Sequence, residues 1–242
     1  MNEADGGAPG RRHFHGRRLG RKLRAGRAAL VETLLPQLTV ALPEDGGALD
    51  PARLFSRPPR ELWVEIGFGA GEHLAWQAAH NPDVGIIGCE PFINGMSTLL
   101  AAVSAQNLDM VRVWADDARP LLDRLPDGSV GRIFLLFADP WPKLRHRNRR
   151  FIQDETVADL ARLLKDGGEL RIATDDAPLL DWSLHHIRRN PAFAWTAEGP
   201  QDWRSRTADW PPTRYEEKAL HGRPYFLRFR RKPRMEAAGP QP

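Results

Sequence analysis

The densest chemistry in the chain lies in FADPWPKLRHRNRR, residues 137–150: an apolar run closing on a carboxylate, Asp139, an indole, Trp141, between two prolines, and then Lys143, Arg145, His146, Arg147, Arg149 and Arg150. Pro140 restricts the residue before it to extended geometry, and Pro142 stiffens the turn around the ring. Each residue type suggests one task. A fixed carboxylate favours positive charge that develops beside it, an indole offers a stacking face for a base, and clustered cations grip a phosphate backbone. The competing reading for Trp141 is packing over the end of a sheet.

A second set of polar residues recurs where apolar runs end. VEIGFGAGEHL places Glu65 before Gly67, Gly69 and Gly71, and a helical pattern follows. Glycines at such a turn let the backbone approach a ligand, and the following helix N-terminus attracts an anion. The spacing is G-x-G-x-G with an acid two residues ahead, whereas a dinucleotide fold asks for G-x-G-x-x-G and a niche for pyrophosphate. A carboxylate there repels pyrophosphate and suits a ligand with a cationic end, such as the amino group of S-adenosylmethionine. The next apolar run ends at Glu90, an acceptor for ribose hydroxyls that a dehydrogenase would also use. The third ends at Asp116 and Asp117, of which Asp117 is the candidate acceptor for an adenine amino group. Helix capping is the plain alternative for any one of these acids, and for Asp175 or Asp176.

The elements that must position these residues alternate in kind. LWVEIG, VGIIGCE, MVRVWA, VGRIFLLFA, GGELRIAT, AFAWTA and RPYFLRFRR read as seven strands, with helical patterns between the first six. Continuous apolar strands alternating with helices imply a mostly parallel sheet covered on both faces, a doubly wound α/β domain over residues 61–234. Ahead of it, residues 28–60 read as a short helix and a Pro/Gly-rich connector, and residues 1–27 as a flexible basic arm. Residues 11–27 hold eight Arg or Lys and no acid, a pattern for nucleic-acid contact or for a solubilising tail. Residues 235–242 read as a disordered tail. The irregular stretch 198–216 is long enough to expect a function, with Trp203 and Trp210 as its anchors.

Composition bounds the rest. With 242 residues, 41% hydrophobic and 27% charged, the chain suits one sizeable folded domain. The net charge is only +4, but its positive residues are clustered, as a polyanion partner requires. The single cysteine, Cys89, excludes an intramolecular disulfide framework and a Cys-rich metal site and fits a reducing cytoplasm. The histidines, His185 and His186 included, lack metal-ligand spacing, and neither a membrane span nor a secretory signal is visible.

VEIGFGAGEHL, GCEPFINGM, DDARPLL, FADPWPKLRHRNRRF, ATDD and TRYEE together resemble the class I S-adenosylmethionine-dependent methyltransferases, and among them the bacterial tRNA (guanine-N7-)-methyltransferases. The likeness runs from about residue 14 to 231, and the Asp-Pro-Trp-Pro-Lys block is its most specific part. It implies a seven-stranded Rossmann-like sheet, S-adenosylmethionine as cofactor, tRNA as partner, no metal, and a monomer or homodimer. It assigns Glu65, Glu90, Asp117 and Asp139 to the cofactor and active-site pocket. Lys143, Asp175, Thr213, Arg214, Tyr215 and Glu216 fall to the substrate, and the run Arg145, His146, Arg147, Asn148, Arg149, Arg150 to RNA contact. The implied reaction methylates N7 of the variable-loop guanosine at position 46. Two departures stand out: Ala138 replaces a proline found in many relatives, and no glycine soon follows Glu216. Alternatives are a methyltransferase for another RNA site, a nucleotide-dependent oxidoreductase, and a non-catalytic RNA-binding subunit.

Overall fold

The computed structural model describes residues 16–214, 216 and 222–234. Tyr215, the first fifteen residues of the expected basic arm and the expected tail at 235–242 lie outside the described residues. The chain opens with α1 (Ala25–Thr33) and α2 (Leu35–Leu38), then alternates: β1 (Glu61–Ile66), α3 (Glu72–His80), β2 (Val84–Cys89), α4 (Ile93–Gln106), β3 (Val111–Trp114), α5 (Ala118–Arg124), β4 (Val130–Leu136). It continues with α6 (Asp154–Leu163), β5 (Leu164–Thr174), α7 (Ala177–Arg189), β6 (Phe193–Trp195), α8 (Gln201–Arg204) and β7 (Tyr225–Arg231).

All seven expected strands form one sheet, in the order β3-β2-β1-β4-β5-β7-β6. Strands β1 to β5 pair in parallel, and β7 inserts antiparallel between β5 and β6. The chain winds outward from β1 to β3 and returns to lay β4 beside β1, so the switch point falls between those two strands. Register brings the strand ends level: Ile66 pairs with Cys89 and Leu135, and Cys89 pairs with Trp114. Whatever follows these four residues emerges on one edge.

Period-two alternation splits the strands between two cores. Val64, Ile66, Ile87, Cys89, Ile133 and Leu135 join Leu121, Leu160 and Leu180 on the α5, α6 and α7 side. Trp63, Ile86 and Phe134 join Leu74, Met96 and Leu99 on the α3 and α4 side. The same alternation turns Glu65 toward α3, although it is only 2% exposed. The N-terminal helices close this side, with Leu30, Val31, Leu34 and Leu35 packed against the α3/α4 core.

Some boundaries differ from expectation. α1 begins at Ala25 rather than near residue 28. α6 begins at Asp154, where Gln153 and Thr156 close a capping box that fixes its first turn. β4 stops at Leu136, because Phe137 turns into the left-handed region at φ 51°. The long stretch after β6 carries the short α8, and its tryptophans pack as anchors, Trp210 on Phe226 and Trp203 on Tyr225.

One contact sets how closely the first loop and α4 approach. A Cβ on Gly95 would stand 2.0 Å from the carbonyl oxygen of Gly69, which is backbone and has little room to retreat. Gly95→Ala is therefore expected to lower stability by about 1 to 3 kcal/mol through overpacking, read by thermal denaturation, and an unchanged midpoint contradicts the close packing.

Candidate active site

The loop after β1 bends through three left-handed glycines, Gly67, Gly69 and Gly71, at φ 70°, 59° and 77°. Residues with side chains rarely adopt these angles. Gly71 is also the N-cap of α3, and a Cβ there would meet Leu99 at 2.7 Å. Glu90, just past β2, holds the loop in place: its two oxygens accept from Gly69 N at 2.8 Å and Phe92 N at 2.9 Å. Burial raises the Glu90 pKa, the two backbone bonds oppose that, and the charges of Asp139 and Glu65 add to it.

Between this loop and the end of β4 lies a cavity of about 470 Å³. It brings together Glu65, Gly67, Gly69, Glu90, Asp117, Asp139, Arg149 and Thr213 from the expected set. Its size falls in the range of roughly 300 to 1,000 Å³ common for small-molecule sites. No lysine is on its wall among the described residues. Asp117 is the N-cap of α5: its carboxylate accepts from Arg119 N at 2.9 Å and pairs with the Arg119 guanidinium at 2.7 Å. Cys89 is on the same wall, 1% exposed, and burial pushes its thiol pKa upward, which disfavours the reactive thiolate.

Asp139 leaves β4 on a bent turn. Phe137 N bonds Ala173 O at 2.7 Å, and Trp141 adopts a left-handed φ of 44°. Asp139 is open to the cavity, yet enough protein surrounds it that desolvation raises its pKa. Trp141 lines the cavity mouth with the Arg149 guanidinium 5.0 Å from its ring and His146 at its edge. Residues Leu144–Arg149 form a 3₁₀ stretch with Arg145, Arg147 and Asn148 exposed beside Lys143. Arg150 is the correction to the expected cationic run. It is buried at 8% exposure, its Nε donates to Pro140 O at 2.9 Å, and its guanidinium lies 4.9 Å from the Trp182 ring. Its place is inside, bracing the turn.

The remaining expected residues spread along the rim. Thr213 is buried against the cavity, while the Arg214 backbone N–H donates to Glu72 at 3.0 Å and Glu216 pairs with Arg206 at 2.9 Å. Lys143, Asp175, Arg214 and Glu216 are outside the cavity wall. Asp176, not Asp175, caps α7, accepting from Leu179 N at 2.7 Å.

Two features went unread in the sequence. The basic segment beginning at Gly16 runs along the cavity mouth: Gly16 and Arg17 line it, Arg18 pairs with Asp116, and Asn94 holds Gly20 N and Arg21 O at 2.8 and 2.7 Å. The other is a buried polar chain. Glu65 bonds His73 Nδ1 at 2.7 Å, Gln77 reaches His73 Nε2 at 3.1 Å, and Gln77 donates to Asp209 O at 2.7 Å. Burial acts to raise the Asp209 carboxyl, but the hydrogen bond and charge of Arg171, with Arg132 beyond, hold it well below the usual carboxylate range. The four-residue spacing of His73 and Gln77 on one helix face was the available signal.

This arrangement can hold a ligand that carries hydroxyl donors and positive charge, against a wall of carboxylates and backbone. A model of the family described as putative methyltransferase matches residues 59–226. A tRNA (guanine-N(7)-)-methyltransferase of Rhodospirillum rubrum is 52% identical over 230 residues, covering 93% of this chain and 90% of that protein. Its counterpart in Paramagnetospirillum magneticum is 51% identical over 226 residues, covering 93% and 94%. That of Nitrobacter hamburgensis is 47% identical over 224 residues, covering 92% and 88%. With relatives this similar along nearly its whole length, the chain belongs to the family of the bacterial tRNA (guanine-N(7)-)-methyltransferases.

Proposed function

We propose that the chain transfers the methyl group of S-adenosyl-L-methionine to N7 of a guanosine in tRNA, that of position 46 in the variable loop, forming 7-methylguanosine in the cytoplasm. The observation that carries this reading is the adjacency of a carboxylate-walled cavity to the Asp139-Pro140-Trp141-Pro142 turn and its exposed cations. The names of the relatives support the substrate.

The donor set fits this cofactor. Glu65 and Glu90 answer an ammonium group and a ribose diol, Asp117 answers an adenine amine, and Gly67 and Gly69 leave backbone within reach. A pyrophosphate would instead lie against Glu65 and Glu90, which counts against a dinucleotide. When bound, S-adenosylmethionine supplies a methyl group on a sulfonium leaving group.

Guanine N7 has a free lone pair at neutral pH, so no side chain has to remove a proton from it. The imidazole on the cavity wall, His73, bonds Glu65 and Gln77. The work left to the protein is orientation, whose gain reaches roughly 7 to 11 kcal/mol in well-aligned systems. Trp141 offers the stacking face, with its ring held by Arg149 and His146. Asp139 offers negative charge where the purine ring becomes cationic. Arg145 and Arg147 hold phosphates, and reaching a base inside folded tRNA calls for exposing it first.

The direct test is to incubate the protein with tRNA and labelled cofactor, digest the RNA and identify the nucleoside; a label on an exocyclic amine or a sugar refutes the reading. Asp139→Asn should cut single-turnover methyl transfer by roughly 100-fold or more while leaving cofactor affinity within about threefold, and normal turnover removes Asp139 from the reaction. Acidification protonates a carboxyl at its own pKa, and those of Glu90 and Asp139 are raised. The acid limb of activity should therefore lie at a higher pH than free Asp and Glu carboxyls would set, and a limb at or below their free values contradicts the roles given to these residues. Arg145→Ala with Arg147→Ala should weaken tRNA binding and reduce the salt slope by about 2, and an unchanged slope takes both off the RNA path.

A further inference from the structure

His73 is 2% exposed, titratable, and unused by the reaction as written above. Its hydrogen bonds determine which nitrogen carries the proton. The Asp209 carbonyl can only accept, so the Gln77 atom 2.7 Å from it is the amide nitrogen. Asn81 donating to Gln77 Oε1 at 3.3 Å agrees with that orientation. The second amide hydrogen of Gln77 then points to His73 Nε2, 3.1 Å away, and makes it an acceptor. The remaining proton is on Nδ1, where it donates to Glu65 Oε2 at 2.7 Å. The geometry thus corresponds to the Nδ1–H tautomer, with one Glu65 oxygen fixed by the bond it accepts. The ring is also wedged edge-on against Phe134, centroids 4.6 Å apart, with Trp210 at 6.4 Å.

The far end of the chain is equally fixed. The Asp209 carboxylate binds Arg171 at 2.7 Å and Arg132 at 3.3 Å, and four residues later the same loop places Thr213 on the cavity wall. Glu72, next to His73, takes the backbone N–H of Arg214 at 3.0 Å. Helix α3 therefore holds both the carboxylate that faces the ligand and the loop that closes beside it.

We propose that His73 and Gln77 are positioning residues, a polarity relay that aims the Glu65 carboxylate at the cationic end of the methyl donor and sets the 207–214 loop in register with it. The inference rests on the methyl-donor reading above. It explains why an acid next to a glycine loop is followed eight residues later by a histidine rather than by another apolar residue.

The test begins with nitrogen NMR of histidine-labelled full-length protein. His73 should show the neutral Nδ1–H tautomer, and an Nε2–H tautomer or an imidazolium at neutral pH overturns the relay. Gln77→Met removes the donor to Nε2 and should move the Nε2 resonance toward that of a nitrogen accepting no hydrogen bond, while the proton stays on Nδ1 against Glu65; an unchanged Nε2 resonance likewise overturns it. In calorimetric titrations with S-adenosylmethionine, His73→Phe should weaken binding by about tenfold, and His73→Asn, whose amide can still donate to Glu65, should restore it to within about threefold. Equal affinity of wild type and His73→Phe overturns the positioning role. Should His73→Phe fail to fold, the Gln77→Met spectrum decides. A wild type that binds no S-adenosylmethionine brings down the methyl-donor reading and the aim given to Glu65 with it, a failure the tautomer spectra distinguish from failure of the relay geometry.

Discussion

The site depends on one junction, where the Gly69 backbone meets Glu90 and Gly95. Glu90 accepts the Gly69 N–H, and Gly95 lets α4 come so near the Gly69 carbonyl that any side chain would collide with it. A carboxylate nine-tenths buried is costly, and the two backbone donors it accepts offset that cost. In return the ends of β1 and β2 and the start of α4 are locked together. The level strand ends could support a cavity of many shapes; this contact selects the one that exists.

The same framework sets the strand-end acids and the exposed cations of the 3₁₀ stretch on different faces. The strand-end acids face inward to the cavity, where burial and mutual repulsion raise the Glu90 pKa and make a cationic ligand the natural partner. The exposed cations sit on the 3₁₀ stretch beyond the Asp-Pro-Trp-Pro turn and face outward. Between them stand Asp139 and Trp141, on a turn that strains two non-glycine residues into left-handed geometry and is braced from below by Arg150. Under the proposed function, a carboxylate, an indole and a burst of positive charge adjoin in sequence because a small cation and a large polyanion meet within one turn of chain.

Much of this is written locally. Strands in a parallel sheet are buried on both faces, so their apolar runs are continuous, and all seven were legible along with the acids that end them. What could not be read depends on partners far away in the chain. Gln77 meets Asp209 across 132 positions, and nothing near either residue announces the other. Arg150 looks like its neighbours in a basic run, and only the packing of Trp182 and the free carbonyl of Pro140 turn it inward. In the described part of the arm, Gly20 N bonds Asn94 across 74 positions, again with no local signal. The end of β4 was misjudged by a residue or two because a left-handed phenylalanine has no sequence signature. The antiparallel entry of β7 between β5 and β6 belongs to the same class, since strand direction is set by topology and not by the residues of the strand.

Under the proposed function the carboxylate-walled cavity recognises a cationic nucleoside and not a dinucleotide. Calorimetric titration of the purified protein with S-adenosylmethionine and, in parallel, with NAD tests it directly. The expected result is saturable one-to-one binding of the first, abolished in Glu90→Ala, and no heat from the second. Saturable binding of NAD with none of S-adenosylmethionine would contradict it.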